Sequence, residues 1–347
     1  MGKYGNAPES NVCKITFILG NGFDLNLGMK TKYTDMYFGY MEEPSNSKNI
    51  EKFKNVLENQ IPFDKWGDFE LGMADYAKTL SSEQELVECV RDFKRYLVEH
   101  LEREYQRLKN AIFEIQNPSE MTRILSSSLY RFYSGLSKND INSINRFVNN
   151  KSIEINIITF NYTNSLELLL DYSTIPTRSS INAPIHIHGS LDENVVLGVD
   201  NQEQLSELPY KLTRNGRRAF IKTYFNEDYD NEKVKKAINT IYESDIICTY
   251  GFAMGESDKL WVDTIVAWLQ DKPKGHLVCY QYDDNKYYKY NFDEMMEAED
   301  EKKEQLLAKF GIDNELMLSK IHIPVGSNIF DFKEIRKKLE YILEPII

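Results

Sequence analysis

Residues 15–29 read ITFILGNGFDLNLGM. A run of β-branched and aromatic residues stops at Gly20-Asn21-Gly22, and a helix start is expected directly behind it. Strand, glycine turn and helix make the opening unit of an α/β sheet, and the turn stands where such sheets bind ligands. Two readings of the glycines are open. Either the turn offers backbone N–H groups to an anion, or it is tight and only glycine fits. The dinucleotide fingerprint would need glycine at position 25, where Leu25 stands, so the dehydrogenase pattern is absent.

Runs of the same character recur at 155–160, 185–187, 245–250 and 277–282, with a further candidate at 320–325. Several are continuous rather than alternating, as in strands of a parallel sheet covered on both faces. Helical stretches at 164–172, 231–244, 258–270 and 331–343 fall between most of them. The predicted fold is α/β: an open, mostly parallel, Rossmann-like sheet with helices on both faces. Residues 30–150 break the alternation. Leu86, Val90, Phe93, Leu97, Leu101, Tyr105, Leu108 and Ile112 are spaced by threes and fours, which predicts one long amphipathic helix over 83–116. A stretch of that length is too long for a simple crossover. A large helical insertion over 30–150 is therefore expected, set into an α/β domain of residues 1–29 and 151–347, near the C-terminal edge of the sheet. The polar stretch 284–310 reads as a solvated helix or excursion.

A formal net charge of −12 argues against duplex nucleic acid as a partner, since that needs a basic face, but leaves room for a small anion. The 4 cysteines are scattered with no CxxC pair, which speaks against a zinc ribbon, and no metal is expected. MGKYGNAPESNVCK has no apolar segment of the secretory kind, and no stretch approaches a bilayer span. A cytoplasmic protein without membrane partners is expected.

Two more motifs stand at strand ends. Thr159-Phe160-Asn161-Tyr162-Thr163-Asn164 follows INII, and an asparagine there presents both donors and an acceptor to a ligand. Its other reading is a helix cap, a duty that Thr163 or Asn164 could take instead. His186-Ile187-His188-Gly189-Ser190 places both histidines on one face if the strand continues through them. A packed histidine is the plain alternative. His188, nearest the strand's end, is the better candidate for chemistry.

In this order the motifs resemble the sirtuin-like NAD-binding fold: a glycine loop after the first strand, a T-x-N segment after a central strand, and an HG step. Thr249-Tyr250-Gly251-Phe252-Ala253-Met254 is similar to that fold's late loop on the adenosine side. The wording is closer still to the AbiH family of bacterial phage abortive-infection proteins. LGNGFDLNLGMKTKY, WGDFE at 66–70, TFNYTNSLE, IHIHGSL with LGVD, and YGFAMGESDKLW resemble its signature blocks, from residue 18 to about 261. The four-cysteine zinc module of the sirtuin deacylases is missing, so the resemblance points away from deacetylation and toward cleavage of NAD.

The resemblance implies NAD as substrate or ligand. It assigns catalytic roles to Asn161 (a ribose hydroxyl or water), His188 (the base) and Asp24 (ribose or water). It places the pyrophosphate on the backbone of Gly20, Asn21, Gly22 and Phe23. It counts Thr159, Tyr162 and Gly189 among the NAD-binding residues, while Gly251, Phe252, Ser257 and Asp258 border the adenosine end. Asp68 and Glu70 either line the cleft from the insertion or are helix-start acids favoured by the dipole. An NAD glycohydrolase is the leading expectation. The alternative is a module that senses NAD or ADP-ribose without turnover; a nuclease is disfavoured by the acidic charge. Control through a homo-oligomer or a phage-derived trigger is expected of an enzyme that must stay silent in healthy cells.

Overall fold

VCKITFIL is β-branched or aromatic at most positions, and it forms β1 (Val12–Leu19) at the centre of a parallel sheet. The structure is a computed structural model and describes residues 11–59, 69–115, 118–173, 175–177, 179–229, 231–281, 290–312, 315–326 and 328–341. The other strands are β2 (Ser152–Thr159), β3 (Ser179–Ile181), β4 (Ile185–His186), β5 (Ile246–Tyr250), β6 (His276–Tyr280) and β7 (Ile321–His322). Their order is β3-β2-β1-β5-β6-β7, with β4 paired to β2 beside β3, and every pairing among the described strands is parallel. Leu19 is in register with Thr159 on one side and Tyr250 on the other, so three strand ends meet at one level.

The chain leaves β1, builds one wing of the sheet, then returns to build the other from β5. The order therefore reverses between β1 and β5, and open α/β sheets bind ligands outside the carboxyl ends of the strands at such a reversal. The six expected strands are present, shortened at 185–187, where pairing stops at His186, and at 320–325, where it is confined to Ile321–His322. Tyr282, the expected end of β6, lies outside the described residues. β3 was not foreseen, because SSI is too short and polar to stand out from its loop.

After α1 (Gly22–Leu27), six helices precede β2 among the described residues: α2 (Tyr33–Glu42), α3 (Lys48–Asn59), α4 (Phe69–Ala77), α5 (Glu83–Phe113), α6 (Pro118–Tyr130) and α7 (Lys138–Val148). The others are α8 (Ser165–Leu170), α9 (Arg214–Phe220), α10 (Lys222–Tyr229), α11 (Asn231–Glu243), α12 (Lys259–Asp271), α13 (Phe292–Lys309) and α14 (Lys333–Tyr341). Alternate residues of β1 serve opposite faces. Cys13, Ile15 and Phe17 pack with Leu108, Leu125, Phe132, Ile144 and Leu339, whereas Ile18 packs with Ile241, Trp261, Ile265 and Leu306. Both faces are thus covered by helices, as the continuous apolar strands require.

The spacing of leucines on α5 carries through its 31 residues, a rod about 46 Å long at 1.5 Å per residue. Ser82 caps its start by accepting the Glu85 N–H. Its second half lies on the sheet. Its first half, Leu86 to Leu101, joins α2, α3 and α4 in a separate core with Val195, Leu197, Val199, Phe220 and Ile221. The helices after β1 therefore share their interior with the chain beyond β4, and together they roof the strand ends.

The opening glycines have a steric duty. A Cβ on Gly20 would lie 2.4 Å from the Gly251 carbonyl oxygen, and one on Gly22 would lie 2.4 Å from Gly251 Cα. Gly251 itself has φ +62°. The turns after β1 and β5 touch backbone to backbone, and only glycine permits this. Gly22→Ala is expected to lower stability by about 1–3 kcal/mol, because the obstacle is backbone and cannot rotate away. Equilibrium urea unfolding checks this; an unchanged midpoint would contradict the packing described.

Candidate functional site

Outside the carboxyl ends of β1, β2 and β5 lies a cavity of about 410 Å³. Of the expected residues, Gly20, Asn21, Asp24, Asn161, Tyr162, His188, Gly251, Phe252, Ser257 and Asp258 line it. Gly22, Phe23, Thr159 and Gly189 are not among its lining residues. Leu97 and Leu101 of α5, the start of α2 and Glu70 of α4 close it from the roof. Trp66 and Asp68 of the WGDFE block lie outside the described residues.

The glycine turn donates little to this space. Gly20 N–H bonds the Tyr250 carbonyl, Gly22 N–H the Gly251 carbonyl, and Phe23 N–H the Gly20 carbonyl. Three of the four amides expected to hold a pyrophosphate already have partners within the protein. The Phe23 ring points into the core, edge-on to Phe330 and Phe332. The Asn21 side chain is engaged as well: its amide donates to the Thr31 carbonyl, and its oxygen accepts from the Thr31 hydroxyl at 2.6 Å.

Asp24 is fully buried under the TFNYTNS turn. Its two oxygens accept from Ser165 Oγ at 2.5 Å and Thr163 Oγ1 at 2.6 Å. Thr163 therefore serves Asp24 and does not cap α8, and Asn164 at the cap position makes no side-chain cap bond. Burial pushes the Asp24 carboxyl up to about 6, against the lowering effect of the hydrogen bonds from Ser165, Thr163 and Asn161.

Asn161 is fixed by its backbone. Its N–H bonds Thr159 Oγ1 at 3.1 Å, which gives Thr159 a supporting role, and its carbonyl accepts from His186 Nδ1 at 3.0 Å. The side-chain oxygen of Asn161 is buried with no hydrogen-bond partner. Such an atom costs about 1–3 kcal/mol unless something else satisfies it.

The formal strand ends at His186, but Ile187 N–H still bonds the Thr159 carbonyl, Ile185 and Ile187 pack in one core, and the two histidines meet different partners. His186 also donates to Glu167 Oε1 at 2.7 Å. Burial pulls its basicity down, but the Glu167 carboxylate and the Asn161 carbonyl outweigh that and raise it above the ordinary value. Its ring is a tie between α8 and the Asn161 turn. His188 is held edge-on to Phe160, on which Phe252 stacks at 4.5 Å and against which Trp261 packs edge-on. Beyond His188 the chain turns sharply at Gly189, φ +74°, where a Cβ would collide with the Asn194 carbonyl. His188 Nε2 makes no hydrogen bond but lies 3.4 Å from Asp258 Oδ1.

The residue that sequence reasoning missed is Lys222. It is 3 % exposed, its Nζ lies 3.0 Å from Glu70 Oε2 and 3.4 Å from Asp258 Oδ1, and it donates to the Ser257 carbonyl. Burial opposes its charge, but Glu70 and Asp258 outweigh this and raise its basicity. Burial likewise raises the Asp258 carboxyl, yet Lys222 and His188 bring it down to about 2. A signal was present: Lys222 is the lone charge in AFIKTYF. Asp258, expected at the adenosine border, thus has Lys222 and His188 as its neighbours.

A family model described as bacteriophage abortive infection AbiH matches residues 16–280. The chain belongs to the AbiH family. Its role is accordingly in anti-phage abortive infection. The AbiH match contains every cavity residue named above and the helices of the roof, leaving α13, β7 and α14 outside it. No curated protein matches the chain. Among the described residues, no helix is long and apolar enough to cross a membrane.

The carboxyls of this site act on stability in opposite directions. Asp24 binds its proton more tightly folded than unfolded, so its contribution falls by about 3 kcal/mol as pH rises from 3.8 through about 6, and is level above that. Asp258, depressed to about 2, contributes stability present above 3.8 and lost as pH falls toward 2. Wild type is expected to gain stability relative to Asp24→Asn between pH 6 and pH 4. Urea midpoints of both proteins at the two pH values check this, and a constant difference would contradict it.

Proposed function

We propose that the protein hydrolyses the nicotinamide–ribose bond of NAD, releasing nicotinamide and ADP-ribose, and that loss of NAD is how it aborts infection. The observation that carries this is the buried, unpartnered Asn161 oxygen standing with His188 in one cavity at the reversal of the sheet. An acceptor held by its own backbone is suited to a ribose hydroxyl. The doubly wound strand order and the presence of Asn161 and His188 in one cavity support the sirtuin-like reading of the fold.

In this reading water attacks the ribose carbon that carries nicotinamide, and His188 takes the proton the water gives up. The breaking bond leaves its electron pair on the pyridinium nitrogen. The leaving group becomes neutral without a general acid. Positive charge spreads over the ribose in an oxocarbenium-like transition state, which the carboxylates of the site favour. Asp24 acts by fixing Thr163 and Ser165 around Asn161, since both its oxygens are engaged. The Phe160–Phe252 stack offers a flat apolar wall to a base. With the glycine amides engaged, Lys32 and the first turn of α2, where Tyr33 and Thr34 line the cavity, are the groups available to the phosphates.

Release of nicotinamide from NAD tests this reading. Saturable NAD binding with no release, with or without lysate of phage-infected cells, would instead select a sensing module that gates a partner.

A further inference from the structure

Three titratable side chains that line the cavity, Glu70, His188 and Asp258, and the buried Lys222 that joins two of them each come from a different element. Glu70 comes from α4, His188 from the turn after β4, Lys222 opens α10, and Asp258 precedes α12. Lys222 lies within 3.0 Å of Glu70 and 3.4 Å of Asp258, so one buried cation serves two carboxylates and leaves an excess negative charge. Asp258 Oδ1 is shared: Lys222 Nζ reaches it from one side and His188 Nε2 faces it from the other, each at 3.4 Å. Asp200 is the other carboxylate whose charge reaches His188, but it is engaged by the Leu260 N–H at the start of α12.

We infer that Asp258 is the positioning carboxylate of His188. It accepts the Nε2 proton, fixes the ring in the Nε2–H tautomer, and leaves the Nδ1 lone pair to take a proton from the attacking nucleophile. The pairing accounts for a buried Nε2 that otherwise has no partner, since apo contacts of this kind tighten when the site is loaded. It gives this cluster a division of labour. Lys222 and Glu70 hold Asp258 in place, Asp258 holds the ring, and the ring accepts the proton, which the carboxylate then balances in charge. Ser257, next in the chain, fixes the same corner through its carbonyl on Lys222.

The tautomer part stands on the geometry alone, and the kinetic part rests on NAD hydrolysis. The test therefore has two arms. In the first, protein labelled with ¹⁵N in its 5 histidines gives ring spectra, with the His188 signals assigned by their loss in His188→Gln. In wild type His188 is expected as the Nε2–H tautomer. In Asp258→Asn its nitrogen signals shift, while the other four histidines keep theirs and so report an intact fold. In the second arm, Asp258→Asn lowers kcat for nicotinamide release about 10²-fold with KM little changed, and Asp258→Glu restores part of it. Identical His188 spectra in wild type and Asp258→Asn would overturn the pairing. A shifted ring with undiminished kcat would overturn its positioning role. If wild type releases no nicotinamide, the hydrolysis reading fails by itself and the spectra still decide the pairing.

Discussion

Alanine at Asn161 or at His188 is expected to lower nicotinamide release by about 10²- to 10⁴-fold. The two losses have different origins. At Asn161 the backbone N–H and carbonyl keep their bonds to Thr159 and His186, so alanine removes the carboxamide, with its cavity-side acceptor and its hydrogen bond to Asp24, but not the turn's backbone ties. The turn stays in place while the ribose hydroxyl loses its acceptor. At His188 alanine removes the proton acceptor and also empties space beside Phe160 and Tyr162. His188→Gln, nearer in size, separates lost chemistry from lost packing and is expected to be as inactive. Chromatographic measurement of nicotinamide against time checks each variant, and full turnover by either would remove that residue from the chemistry.

The largest loss of stability is expected from Lys222→Met, about 3–5 kcal/mol. The ammonium is the buried counterion of Glu70 and Asp258, and methionine fills its volume without its charge. Glu70 is then left inside the protein, 7 % exposed, as a carboxylate without its cation, keeping the long contact to the Gly198 N–H. Adding Glu70→Gln is expected to recover part of the loss, because an amide tolerates burial better than an unpaired charge. The exposed pair Lys259–Asp263 is as short, at 2.8 Å, yet its removal is expected to move the midpoint little. Urea midpoints of the single and double variants check this. A double variant no more stable than Lys222→Met would show that charge burial is not the cause.

The sheet was legible because its strands are nearly continuous in β-branched and aromatic residues, a pattern that β1 and β5 could not keep on a water-facing surface. The long helix was legible for the same reason at helical period. The polar letters at strand ends marked the cavity: Asn161 and His188 both face it. What sequence could not decide was the meaning of Gly20-Asn21-Gly22. The partner that makes glycine necessary there is Gly251, more than two hundred residues away, and only the pairing of β1 with β5 brings it close. The same limit hid Lys222. A buried lysine depends on two carboxylates delivered by α4 and by the start of α12, and no local spacing encodes that meeting. Local pattern gave the elements and their ends. The long-range charge pairing was out of its reach.

The most direct measurement is the product balance of NAD incubated with the purified protein, alone and with lysate of phage-infected cells. NAD glycohydrolysis predicts that each NAD consumed yields one nicotinamide and one ADP-ribose, with one oxygen from labelled water in the ADP-ribose, and that Asn161→Ala yields neither. NAD left intact under both conditions, or consumed equally by Asn161→Ala, would contradict it.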